Sequence, residues 1–276
     1  MNKKIGFIGS GNMASAMIDG LINSGTASSD HIMASNRTKD KLDKINAKYN
    51  IYVTQDNIEV AKFADILVLS VKPNKFGSVV KEVAQFIKDD VIIVSIAAGI
   101  SIGTITKFFH KNLKIVRSMP NIPAVVGEAI TGLCCSSLVN SEDLENVLQI
   151  FQSFGNVEIL DEEWMDVVTA VSASSPALVY MFIEALADGA VLKGLPRDIA
   201  YKMVSQAVLG AAKMVLKTGC HPGQLKDRVC SSGGTAIEAI FSLEKNGFRG
   251  IVIEAIDKCT EKATKLGNAF NSQIDE

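Results

Sequence analysis

Two short groups of residues in this chain have types and spacing suited to holding a phosphorylated ligand. Gly9-Ser10-Gly11 follows an apolar run, Lys4–Ile8, and precedes a helix-like stretch of small and apolar residues, Asn12–Asn23. Glycine at position 9 permits a tight turn, and glycine at position 11 lets a backbone approach a pyrophosphate. Ala14 stands where a third glycine is usual, and it is still small enough for close packing of helix on strand. The N–H groups at the start of that helix offer themselves to an anion. This is the pattern of a dinucleotide-binding turn.

The second group is Asn36-Arg37-Thr38, at the end of the second strand-like run. A fold that selects an unphosphorylated ribose places a carboxylate here. This chain has none. A guanidinium and hydrogen-bond donors suit a 2′-phosphate instead, which favours NADPH, with NADH possible. Asn57, just past the third run, is placed either to reach the ribose or to begin a helix. The fourth run ends Ser70-Val71-Lys72-Pro73 and the fifth ends Ser95-Ile96-Ala97-Ala98-Gly99. Ligands of open α/β sheets bind outside the carboxyl ends of the strands, so small residues there leave room for the dinucleotide. Pro73 starts the next segment with a fixed φ.

These residues need a scaffold, and the pattern supplies one. Strand-like runs at Lys4–Ile8, Ile32–Ser35, Ile51–Val53, Ile66–Ser70, Ile92–Ser95 and Lys114–Arg117 show no alternation, as in strands buried on both faces. Helical segments lie between them at Asn12–Asn23, Lys39–Lys48, Lys75–Phe86 and Ser101–Phe109. Further strand-like runs at Glu128–Leu138 and Val157–Leu160 flank a helix at Ser141–Phe154. The expected fold class is α/β: a Rossmann-type, doubly wound parallel sheet over residues 1–160. After Leu160 the spacing becomes helical throughout, so residues 161–276 are expected to be an all-helical domain. Its stretch Ala177–Val191 is apolar on more than one face, which calls for an oligomer interface.

Bulk composition narrows the function classes. With 276 residues there is room for two medium domains. A net charge of −2 gives no basic field for nucleic acid or a membrane surface. No membrane span or leader is expected. Five cysteines without Cys-x-x-Cys spacing and three scattered histidines read as reduced thiols in the cytosol, with no disulfide frame and no metal site.

The motifs together resemble the pyrroline-5-carboxylate reductase family over nearly the whole chain. The resemblance rests on Gly6–Gly20 (GFIGSGNMASAMIDG), Val71-Lys72-Pro73, Ser95–Ile100 (SIAAGI) and Arg117–Glu128 (RSMPNIPAVVGE). It continues through Glu184–Val191 (EALADGAV), Gly194–Arg197, His221–Asp227 (HPGQLKD), Ser231–Ala236 (SSGGTA), Leu243-Glu244 and Gly247–Arg249. It implies hydride transfer from NADPH to the C=N carbon of a cyclic imino acid, giving L-proline. It also implies a helical C-terminal dimerisation and substrate domain, and homodimers that assemble to a decamer.

By resemblance, the cofactor contacts are Ile8, Gly9, Ser10, Gly11, Asn12, Met13, Asn36, Arg37, Thr38, Asn57, Val71, Lys72, Pro73, Ala97, Ala98 and Asn121, the last near the nicotinamide. The loop Ser231–Ala236 corresponds to the turn whose amides hold the substrate carboxylate. Physically, Gly233-Gly234 ahead of a helix is an anion nest. Substrate binding falls to Glu162, Asp227, Ser231, Gly233, Gly234, Thr235 and Ala236, with Arg228 flanking them. Thr235 and Ser175 are the candidate catalytic hydroxyls.

Three departures from the family pattern matter. Ser-Gly-Ser-Gly-Pro-Ala-Tyr is here Ser172–Leu178 (SASSPAL), the last Thr of the carboxylate turn is Ala236, and Asn-Thr-Pro is Asn121-Ile122-Pro123. They leave two alternatives: a non-catalytic NADPH-binding paralogue, or a reductase of a related cyclic imino acid. A hydroxyacid dehydrogenase fits less well, because Lys193 precedes Gly194-Leu195-Pro196 and has no partner on a helix face to make it a base.

Overall fold

Branched apolar runs become β1 (Ile5–Ile8), β2 (Ile32–Ser35), β3 (Tyr52–Thr54), β4 (Ile66–Leu69), β5 (Ile92–Ser95) and β6 (Lys114–Met119) in the computed structural model, which describes residues 1–272. Between them run α1 (Asn12–Asn23), α2 (Lys39–Tyr49), α3 (Asn57–Phe63), α4 (Pro73–Val83) and α5 (Ile102–Phe109). β7 (Ala129–Cys135), α6 (Ser141–Gln152) and β8 (Gly155–Ile159) complete a sheet of order β3-β2-β1-β4-β5-β6-β7-β8.

The first six strands are parallel, as the βα alternation requires. β7 departs from the expected all-parallel sheet and pairs antiparallel with β6. The connection is the reason. A parallel neighbour needs a crossover of a dozen or more residues, and Pro120–Glu128 is too short for one. α6 then provides a full crossover, and β8 returns parallel to β7.

Side chains alternate through the sheet into two cores. Ile5, Phe7, Ile66, Val68, Ile92 and Val94 meet α1, α2 and α6 on one face. Ile8, Leu67, Leu69 and Ile93 meet α3, α4 and α5 on the other. The pattern looked continuous in sequence because both faces are covered. Helix starts follow their caps. Asp56 accepts the Ile58 N–H and puts Asn57 first in α3, and α4 begins at Pro73, not Lys75.

A turn at Glu162–Trp164, α7 (Met165–Val168) and a π-helical turn (Thr169–Ser174) lead out of the sheet. Then come α8 (Ser175–Leu192), α9 (Arg197–Thr218), α10 (Pro222–Val229), α11 (Thr235–Lys245) and α12 (Phe248–Ser272). Among the described residues, packing groups 1–174 with 258–272, and 175–257 separately. This grouping differs from the sequence division into 1–160 and 161–276 in two ways. Met165 is buried with Met119 and Cys134 of the sheet. The later part of α12 also belongs to the sheet unit, where Thr264 Oγ1 donates to Asp166 Oδ2 at 2.9 Å.

The second unit is helical, as its spacing predicts, and its apolar residues are widely exposed. Leu192 is 82% exposed, Leu216 80%, Met181 70% and Ile253 69%. Ala187 and Ala200 are buried, and the rings of Phe182 and Phe248 pack 6.2 Å apart.

Candidate functional site

The βα turn is stapled to its neighbours before any ligand is considered. Gly9 sits at φ +95°, and a Cβ there would press on the Ser70 carbonyl at 2.8 Å. Only glycine takes this position without strain. Its N–H donates to the Ser35 carbonyl at 3.1 Å, while the Ser70 hydroxyl donates to the Ile8 carbonyl at 3.0 Å. Gly11 caps α1 with no side-chain acceptor, and nothing lies within 4 Å of where its Cβ would be. The first N–H groups of α1 therefore face open space, which is what an anion needs.

Asn36 is held in place from both ends of its amide. Its Nδ2 donates to the buried Ser10 hydroxyl at 2.9 Å, and its Oδ1 accepts the Thr38 N–H at 3.0 Å. Gln55 Nε2 fixes the next carbonyl, that of Arg37, at 2.9 Å. Asn57 accepts from Ser35 Oγ at 2.7 Å and donates to Glu82 at 3.0 Å.

Nine of the expected cofactor residues line one cleft of about 540 Å³: Gly9, Ser10, Gly11, Asn36, Arg37, Thr38, Asn57, Val71 and Lys72. The cleft also takes residues that the sequence reading did not name. Lys75, Ser78, Val79 and Glu82 recur at helical spacing along one face of α4, and Lys41 lies one turn beyond Arg37. That periodicity is the signal that could have found them. Arg37, Lys41, Lys72 and Lys75 against the single carboxylate Glu82 make the cleft cationic. Open N–H groups, a glycine turn and this charge fit a dinucleotide carrying an extra phosphate.

The other expected cofactor residues lie outside the cleft lining. Ile8 is in the core, Asn12 is exposed at the head of α1, and Met13 leans on the core. Pro73 is the first residue of α4. Ala97 is buried after β5, and Ala98 packs against Met119, Cys134 and Met165. Asn121 is buried, with Oδ1 accepting the Ile130 N–H and Nδ2 donating to the Ser172 carbonyl, both at 3.1 Å.

Glu162 Oε1 accepts the Ile102 N–H at 2.7 Å and Arg117 Nη1 at 3.1 Å. Arg117 is buried and its other terminal nitrogen meets Asp166 at 3.3 Å. Beside this cluster, burial above all pushes the Cys134 thiol up to about 12 and Cys135 up to about 11. Both stay neutral thiols at physiological pH, which removes them as nucleophiles.

The remaining expected residues belong to the helical unit. Gly233 has φ +67°, Gly234 donates its N–H to the Ser231 carbonyl at 3.0 Å, and a Cβ on Gly234 would collide with the Ser231 side chain. Gly234 caps α11 without a side-chain acceptor. The N–H groups of Thr235 and Ala236 thus begin a helix that presents an open, electropositive end. Asp227 pairs with Lys226 at 2.5 Å at the end of α10, with Arg228 next to it. Ser175 opens α8.

Residues 162–266 match the pyrroline-5-carboxylate reductase dimerisation family, and residues 4–99 match the NADP oxidoreductase, coenzyme F420-dependent, family. Pyrroline-5-carboxylate reductase of Escherichia coli (strain K12) is 47% identical over 269 residues, covering 98% of this chain and 100% of that protein. The chain belongs to the pyrroline-5-carboxylate reductase family. It is an NAD(P)H-dependent oxidoreductase with that family's fold. The solved reductase of Coxiella burnetii superposes with a TM-score of 0.90 at 35% identity, covering 96% of this chain and 99% of that one. The pyrroline carboxylate reductase of Plasmodium falciparum, solved with NADP bound, gives 0.88 at 34% identity, with 96% and 98% covered.

Within the family, the departures from pattern take definite places. Ala173 packs against the Met119, Cys134 and Met165 cluster, Leu178 is partly exposed on α8, and Ala236 is the second residue of α11. Two stretches, Glu162–Leu192 and Arg197–Thr218, are long and apolar enough to cross a membrane by length and composition. Both fall within the residues that match the reductase dimerisation family.

Proposed function

We propose that this chain reduces 1-pyrroline-5-carboxylate to L-proline with NADPH, and that its two glycine turns divide the work. Gly9–Gly11 and the first turn of α1 hold the pyrophosphate. Arg37 and Thr38, with Lys41, hold the 2′-phosphate. Asn57, Val71 and Lys72 face the ribose, and Ala97, Ala98 and Asn121 frame the nicotinamide end. Bound NADPH supplies the hydride that adds to the carbon of the C=N bond. The amides of Ser231–Ala236 receive the substrate carboxylate, with Asp227 flanking it.

The ring nitrogen must carry a proton as its bond to carbon becomes single. A cyclic imine is partly protonated near neutral pH, so positioning counts for more than a strong acid. Thr235 and Ser175 are the hydroxyls that hold that proton on the nitrogen in place of the missing threonine at position 236. The observation that carries this reading is the cationic cleft beside the Gly9–Gly11 turn in a chain of this family.

The exposed faces of α8, α9 and α12 take a second copy of the chain, giving a homodimer that assembles further to a decamer in the cytosol. Loss of NADPH absorbance with 1-pyrroline-5-carboxylate, with its six-membered homologue and without substrate tests the activity. Turnover with the five-membered imine is expected to be fastest. Tight NADPH binding without turnover of either imine refutes the proposal. Ala236→Thr should lower the KM for the imino acid and leave that for NADPH unchanged.

A further inference from the structure

The loop after β5, Ile96–Ser101, carries Ala97 and Ala98, and a distant part of the chain grips it at two points. The first grip is backbone against backbone. Gly99 lies at φ +75°, and a Cβ on it would sit 3.0 Å from the Gly267 nitrogen and 3.2 Å from the Gly267 Cα. Reciprocally, a Cβ on Gly267 would sit 2.8 Å from the Gly99 carbonyl oxygen. The two backbone segments meet with no side chain between them. Gly267 stands inside α12, where glycine disfavours a helix by about 1 kcal/mol relative to alanine. Close approach to Gly99 is the compensating reason for it.

The second grip is a relay. Thr264, one turn earlier on α12, donates to Asp166 Oδ2 at 2.9 Å, and Asp166 Oδ1 takes Arg117 Nη2. Arg117 Nη1 goes to Glu162, which accepts the N–H of Ile102, the residue that opens α5. Ile102 directly follows the same loop. Ala263, one residue before Thr264 and one turn before Gly267, is 5% exposed, and this part of α12 groups with the sheet unit.

We propose that the later part of α12 sets the conformation of the Ala97–Gly99 loop for cofactor binding, with Gly267 and Thr264 as positioning residues. They act through Gly99 and through the Asp166–Arg117–Glu162 relay, without touching the cofactor. The inference rests on the reading above that Ala97 and Ala98 frame the nicotinamide end. A side chain at position 267 pushes on the Gly99 carbonyl and shifts the loop. Loss of the Thr264 hydroxyl frees Asp166 and slackens the other end.

Calorimetric titration of NADP⁺, alongside steady-state kinetics, tests this with Gly267→Val, Thr264→Val, Thr264→Ser and the exposed control Lys262→Ala. Gly267→Val should raise the Kd for NADP⁺ and the KM for NADPH by about tenfold, equivalent to 1.4 kcal/mol. The KM for the imino acid and kcat at saturating NADPH should stay within about twofold. Thr264→Val should show about a third of that effect on a logarithmic scale, and Thr264→Ser and Lys262→Ala almost none. If Gly267→Val does not fold, Gly267→Ala and Thr264→Val decide the matter by the same readout. Unchanged Kd in the folded variants, or losses confined to kcat and thermal stability, overturn the proposal. Wild-type protein that binds no NADP⁺ removes the cofactor reading and this inference together. Normal wild-type binding with unaffected variants removes the inference alone.

Discussion

The two units treat their apolar residues in opposite ways. In the sheet unit, Phe7, Val68, Phe76 and Phe151 are sealed from solvent between strands and helices. In the helical unit, Tyr180, Met181, Leu216 and Ile253 stand more than half exposed. The polar groups reverse the contrast. In the sheet unit, Asn36, Asn57 and Asn121 spend their amides on the protein itself, whereas Lys226–Asp227 and Arg249–Glu244 in the helical unit are exposed pairs of small energetic value. A unit with a finished core and pre-set polar groups is ready to bind. A unit that leaves aromatic and aliphatic faces open is finished by another surface.

The largest expected effect tests that second statement. Met181→Asp puts a charge on the open face of α8. A methionine side chain covered by a second copy is worth about 1.5–3 kcal/mol, and the loss counts twice in a symmetric dimer. Light scattering should then show monomers at micromolar concentration, with imine reduction falling by about 100-fold or more and NADP⁺ affinity by less than about threefold. A dimeric, active variant would break the comparison.

A second substitution addresses the cleft. Arg37→Ala should raise the KM for NADPH by about 10- to 100-fold, since a charge-assisted pair is worth about 1.5–3 kcal/mol. The KM for NADH should remain within about twofold, and an equal loss for both cofactors would remove the 2′-phosphate role. The smallest effect concerns the finished core. Burial of Asp65 works against ionisation. The Lys88 ammonium at 2.6 Å and the Lys4 N–H at 2.8 Å outweigh it and hold the carboxyl below its ordinary value. Its stabilisation is therefore present above the unfolded pKa, near 4, and is lost as pH falls through the folded value. Asp65→Asn should cost about 1 kcal/mol at neutral pH, or about 2–4 °C in Tm, discounted for partial exposure. Thermal unfolding at pH 7 and pH 3 checks it: the gap between variant and wild type should close in acid.

Much of this was legible along the chain because it is local. Gly9, Gly11 and Ala14 announce a turn by their own conformational range, and the branched runs announce buried strands. The reversal at β7 was not legible from residue types, since the short Pro120–Glu128 connection decides it. α3 spans two turns, too few to display a period. Lys75, Ser78 and Glu82 read as a solvated helix face until α4 is laid beside the glycine turn. Glu162 has partners on Arg117 and Ile102 that only tertiary packing brings near. Gly267 gave no signal at all, because its meaning is held by Gly99.

The place of the later part of α12 within the sheet unit also bears on how the protein is made. Residues near the start and the end of the chain share one folding unit, and the whole helical unit lies between them. The entropic cost of closing so long a loop grows only with the logarithm of its length. Timing is affected more. As the chain leaves the ribosome, the glycine turn and its strands can assemble early. The loop after β5 gains its backbone partner only when one of the last helices emerges. On the proposal that this loop frames the nicotinamide end, a nascent chain should acquire its full grip on NADPH only near the end of synthesis.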